Sequence, residues 1–205
     1  MDMPEKQRNR GRTADTILEA AKTVLAEQGF AGWGINAIAR AAGCDKQLVY
    51  RYHNGLDGLA EAIAAEMAVW LDEALSAKPD TPPATSYAEL MTRLALAYLD
   101  ALRSNRLAQR ILAWEVAEES PLVKRFAAAR GKAMMMWIAR ERGDLTPPVG
   151  VDAPMVNALL VAGIQHLVLA GAASGRFTGV ELSGEGDWDR VRAAVRAMAE
   201  AAYRA

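Results

Sequence analysis

Lys46, Gln47, Tyr50 and Arg51 are the residues of this chain whose types and spacing best suit recognition of another molecule. At about 100° per residue they share one arc of about 140° on a helix beginning at Lys46, while Leu48, Val49, Tyr52 and His53 occupy the other. The first arc is rich in hydrogen-bond donors. In a major groove Gln can pair bidentately with adenine, and Arg or Lys with guanine, so a short helix presenting these groups can read base edges. The alternative for each is a solvated side chain, the ordinary state of an exposed polar residue. Tyr52 lies on the inner arc, where its ring is expected to pack with the hydroxyl outward.

Other chemistries are poorly supplied. The sequence offers no nucleophile–base pair or phosphate loop, so no catalytic residues are expected. With His53 and His166 as the only histidines and Cys44 as the only cysteine, metal-ligand spacings are absent and no internal disulfide can form. We expect no metal and no cofactor. Glu115, Glu118 and Glu119 form a carboxylate patch at i, i+3, i+4, expected as a solvated face because no Glu-x-x-His accompanies it. Cys44 reads as a packed thiol in a turn.

The elements that must position the reading arc precede and flank it. Ile17, Leu18, Ala21, Val24 and Leu25 make the apolar stripe of a first helix. Gly29 is expected to end it in the left-handed C′ conformation, with Phe30 folding back on the last turn. A second helix is predicted over Ile35 to Ala42, turning at Gly43. Asp45 is then placed to cap helix three by accepting from the amide of Gln47 or Leu48.

These pieces, ILEAA at Ile17 to Ala21, Gly29-Phe30, IARAAG at Ile38 to Gly43 and LVYRY at Leu48 to Tyr52, resemble the DNA-binding domain of the TetR family of transcriptional repressors over Thr13 to Ile63. The resemblance implies a protein of two parts. A three-helix DNA-binding domain (residues 13–58) with a helix-turn-helix would join a larger helical effector-binding and dimerisation domain (59–205). It also implies that Tyr50 and Tyr52 occupy positions that reach phosphates. Two departures stand out: Leu56 replaces a lysine that would touch a phosphate at the start of helix four, and His53 replaces a core aromatic. Residues 1–12 read as a flexible basic arm, whose Arg10 and Arg12 either enter a minor groove or remain solvated.

Composition is compatible with this plan. The chain has 205 residues, 52% hydrophobic, and a net charge of −1, so any attraction to a polyanion must come from local placement of charge. Through Leu56 there are 8 basic against 6 acidic residues, and 16 against 19 thereafter. No secretory leader pattern opens the chain, and a bacterial cytoplasmic location is expected.

The remainder reads as helical, giving an all-α chain of about nine helices. Prolines and glycines mark predicted helices at 56–77, 87–104, 106–118, 121–143 and 154–174. A Gly-rich loop leads to the last helix, capped by Asp187. No charge falls between Asp152 and Arg176, a span that could cross a bilayer, but Asn157, Gln165 and His166 favour a helix enclosed by protein. The resemblance implies a homodimer through residues 154–174 and 187–204, reading a double-stranded, inverted-repeat operator, with no membrane association.

It further implies a pocket for a small-molecule effector. Met67, Trp70, Tyr98, Trp114, Met134, Trp137, Gln165 and His166 could line it, the first six as adaptable apolar surface and the last two as polar groups. For each, ordinary core packing is the alternative. Two other functions remain open: a ligand- or partner-binding protein that has lost DNA binding, for which Leu56 speaks, and an all-helical enzyme.

Overall fold

A computed structural model describes residues 5–76 and 81–204, with side chains from residue 11. Among the described residues it is all-α, with nine helices and one short hairpin. The helices are α1 (Glu5–Gly32), α2 (Ile35–Ala42), α3 (Lys46–His53), α4 (Gly55–Leu75), α5 (Tyr87–Ser104), α6 (Arg106–Ala117), α7 (Pro121–Arg142), α8 (Ala153–Ser174) and α9 (Glu185–Ala202). The expected fold class is therefore observed. Residues 77–80, which span the predicted end of the fourth helix and the start of the segment after it, lie outside the described residues.

The chain divides into two compact units. Residues up to Val69 together with Arg110–Lys132 form the first, and Trp70–Gln109 with Ala133–Ala205 the second. In the first, Ile17, Ala21, Val24 and Leu25 of α1 are buried, as are Ile38, Val49, Leu59 and Ile63 of α2 to α4. Phe126 of α7 completes this core, edge-on to Phe30 and Trp33 with ring centroids 5.6 and 6.5 Å away.

In the second unit a cluster of Tyr87, Leu90, Met91, Leu160, Ala199 and Tyr203 joins α5, α8 and the end of the chain. Tyr203 donates its hydroxyl to Asn157 Oδ1 at 2.6 Å and packs edge-on against Tyr87. Arg103 lies over the ring of Trp188, 4.4 Å from its centroid, and pairs with Glu185 at 2.6 Å.

Several local expectations are revised. α1 begins at Glu5, not Thr13, so Glu5 to Arg12 extend the first helix where a flexible arm was expected. Glu, Lys, Gln and Arg dominate this stretch and are good helix formers. Gly29 has a positive φ of 69°, as expected, but its ψ of −172° is not left-handed α. This extended, essentially glycine-only region kinks the chain without closing a C-cap. α9 starts before Asp187, which instead sits in the first turn and accepts from the Gly184 amide at 3.0 Å.

The predicted Gly-rich loop contains a hairpin, β1 (Arg176–Phe177) paired antiparallel with β2 (Val180–Glu181). Thr178 and Gly179 both have positive φ, 46° and 82°. A two-residue turn of type I′ needs this at both positions, and its twist matches that of the strands.

Before α5, Glu89 accepts from the Thr85 amide at 2.8 Å and the Thr85 hydroxyl at 2.7 Å, and it also pairs with Arg93. These donors, the amide foremost, draw its carboxyl from an ordinary 4.5 down to about 2. A depressed folded pKa adds stability above the ordinary value and loses it as pH falls through the folded one. The Glu89→Gln variant should therefore lose less stability than wild type between pH 4.5 and about 2. Urea midpoints compared across that window check this.

Candidate nucleic-acid interface

α2 and α3 form the turn that presents the reading arc. Ile38 and Ala39 anchor α2, and Gly43 closes it in the left-handed conformation with its amide on the Ala39 and Arg40 carbonyls. Asp45 caps α3 by accepting from the Gln47 amide at 2.7 Å. An N-cap of this kind contributes about 1 kcal/mol, a substantial share of what holds so short a helix.

The two arcs separate as expected. Lys46, Gln47, Tyr50 and Arg51 are exposed, Val49 is fully buried, and Leu48, Tyr52 and His53 are half-buried. Arg12 is exposed and borders a groove of about 370 Å³ with Thr13, Gly43 and Cys44, beside the helix-turn-helix. Arg10 belongs to α1, but its side chain lies outside the described residues. Burial pushes the Cys44 thiol pKa up, with Asp45 adding to the shift.

The departure from the family's pattern after α3 has a local geometry of its own. His53 bonds through Nε2 to the Ala14 carbonyl at 2.8 Å, so the imidazole fills the aromatic position with a polar tie to α1. Asn54 and Gly55 are both left-handed, at φ 58° and 83°, and the Tyr50 ring lies against Gly55. α4 then begins immediately. Gly58 passes so close to the His53 carbonyl oxygen that a Cβ there would collide with it. Leu56 is half-buried, and the first turn of α4 carries Asp57 paired with Arg125 at 2.7 Å.

The eight candidate effector residues divide between the two units. Tyr98 and Gln165 are brought together, with Gln165 Nε2 donating to the buried Tyr98 hydroxyl at 2.7 Å. Trp137 is buried, and its indole N–H has no acceptor among the described residues; the buried Thr92 hydroxyl, which sequence reasoning passed over, is in the same condition. Met134 is half-buried in this second unit, as is Trp70, whereas Met67 belongs to the first. Trp114 also belongs to the first unit, against Gly29. His166 is exposed and edge-on to Phe177 at 4.5 Å, so it lies on an outer face of α8 rather than in an interior.

The carboxylate patch is not simply solvated. Glu115 is 6% exposed and paired with Arg130 at 2.6 Å. Desolvation still raises its pKa, outweighing the arginine's pull. Glu118 accepts from the Ala31 amide at 2.7 Å.

Gly58→Ala should lower unfolding stability by about 2 kcal/mol or more, because a backbone oxygen cannot yield as a flexible side chain can. Urea denaturation checks this.

Residues 17–63 match the family model described as bacterial regulatory proteins, tetR family. Over 187 residues, 81% of this chain and 90% of the relative, the sequence is 25% identical to an uncharacterized HTH-type transcriptional regulator of Mycobacterium tuberculosis. A transcriptional regulator from Streptomyces coelicolor superposes with a TM-score of 0.62 at 23% identity, covering 94% of this chain and 98% of that one. The multidrug binding protein EbrR, solved with malachite green, gives 0.62 at 19% identity and covers 94% and 98%. With the helix-turn-helix in place, residues 17–63 are the DNA-reading segment of the bacterial tetR-family type, and the fold of the whole chain is similar to that of a solved TetR-family regulator from Marinobacter aquaeolei.

Proposed function

We propose that this chain is a cytoplasmic, homodimeric transcriptional repressor that reads an inverted-repeat operator through α3 and is released from it by a small apolar or aromatic effector. The observation that carries the reading is the donor-rich arc of Lys46, Gln47, Tyr50 and Arg51, exposed on a capped helix whose opposite arc is packed. Gln47 and Arg51 would read base edges. Lys46, Tyr50 and the Tyr52 hydroxyl would serve phosphates, with Arg10 and Arg12 reaching the adjacent backbone or minor groove.

The dimer is supported by the uncovered apolar face of the second unit. Met155, Leu159 and Met198 are 58%, 67% and 62% exposed, and α8, α9 and the hairpin enclose a groove of about 370 Å³. α8 is long and apolar enough to cross a membrane, yet burial of this face against a second copy removes the same surface from water. Two heads about 34 Å apart would engage successive major-groove faces.

The effector reading draws support from the Tyr98–Gln165 pair, which would be a polar end, with Met134 and Trp137 of the same unit as the apolar lining it would need. EbrR, a structural neighbour, was solved with a bulky aromatic dye. An effector that prefers the conformation with misplaced heads lowers operator affinity by the factor by which DNA lowers its own. α4 is the lever in this scheme, with its DNA-proximal end in residues 13–58 and Met67 and Trp70 at the effector end.

Selection of genomic fragments by the purified protein tests the proposal. An inverted repeat should be enriched, and the Gln47→Ala/Arg51→Ala variant should lose that preference, each contact contributing about 1–3 kcal/mol of discrimination. Lys46→Ala should weaken all sequences alike and reduce the salt slope by about 1. No enrichment above bulk DNA would overturn the reading and turn attention to ligand or partner binding alone.

A further inference from the structure

Two side chains of the α6 region hold the corner between α1 and α2 from outside the helix-turn-helix. Gly29 kinks α1 just before its last turn, and at such a break backbone amides can be left without an intrahelical carbonyl. Glu118 accepts from an amide beyond the kink, that of Ala31, at 2.7 Å, as an N-cap carboxylate would. Trp114 covers the kink itself. Its ring carbons come within 2.8 Å of where a Gly29 Cβ would stand, and its indole N–H points to the Ala26 carbonyl at 3.4 Å.

The corner is otherwise set by Trp33, whose indole N–H donates to the Ala21 carbonyl at 2.8 Å and whose ring meets Phe126. The buried Glu115–Arg130 pair ties α6 to α7, so Glu118 and Phe126 act on the corner from a mutually braced pair of helices. α2 leaves α1 at this corner and α3 follows α2, so the angle of the reading arc depends on it.

We propose that Glu118 is a positioning residue for DNA reading: through the Ala31 amide and the Gly29 kink, its carboxylate fixes the pose in which α2 and α3 are presented. The proposal rests on the DNA-reading function above. It also gives α6 and α7 a direct hold on the head, separate from the α4 lever.

The test uses the full-length protein, the inverted repeat recovered by genomic selection and bulk DNA of equal length. Glu118→Ala should lower the ratio of operator to bulk affinity tenfold or more, with bulk affinity held within about twofold because the charges on α3 are unchanged. Amide exchange at Ala31 should accelerate in the same variant. Glu118→Gln keeps an acceptor oxygen and should restore the ratio to within about threefold of wild type. Arg93→Ala, which removes an ion pair of the second unit, should leave the ratio unaltered. If the alanine variant does not fold, Glu118→Asp, whose carboxylate is one methylene short, should lower the ratio threefold or more.

An unchanged ratio in Glu118→Ala, or in Glu118→Asp where that variant is needed, overturns the positioning role while leaving DNA reading intact. A wild-type protein that selects no sequence overturns both.

Discussion

A helix of eight residues does not persist in water, because nucleation costs more than its few internal hydrogen bonds return. α3 has this length, and so has α2. The first unit can be understood as the means of keeping these two short helices formed and correctly aimed. Val49 and Ile38 are fully buried against the apolar side of α1, Asp45 and Gly43 satisfy the amides and carbonyls at the intervening turn, and His53 reaches the Ala14 carbonyl. Each device leaves the outward arc free of packing duties, which is what allows it to be polar and exposed.

Patterns governed by local chemistry were legible in the sequence. The limits of α2 and α3 follow from a glycine, a capping aspartate and an apolar stripe, and the structure places them at the expected residues. Pro121 opens α7 at the first residue of the predicted helix, with the Ser120 hydroxyl accepting from the Val123 amide at 3.1 Å. Asp152, read only as the last charge before an apolar span, caps α8 by accepting from the Met155 amide at 3.2 Å.

What the sequence concealed depends on partners distant along the chain. Glu118 looks like a solvated carboxylate until Ala31, 87 residues away, is brought beside it. Trp114 reads as pocket lining because nothing local says that a glycine kink needs covering. His166 reads as an interior group because it is polar among apolar neighbours, but α8 is apolar on all sides, so periodicity does not tell its inner face from its outer one. The hairpin had a signal that was passed over: a Thr-Gly pair between Phe177 and Val180, hidden by its brevity among glycines.

The ends of α8 and α9 have a consequence for the face between them. At one end β1 and β2 bridge the helices; at the other the Tyr203 hydroxyl is bound to Asn157 and approaches the Ala153 carbonyl at 3.3 Å. Helices pinned at both ends lose little further freedom when something docks on the plane they share. Much of the ordering cost of association is thus already met in folding. The affinity of that plane for an occupant is then governed by the desolvation of its methionines, leucines and alanines and by the freedom lost when two bodies become one.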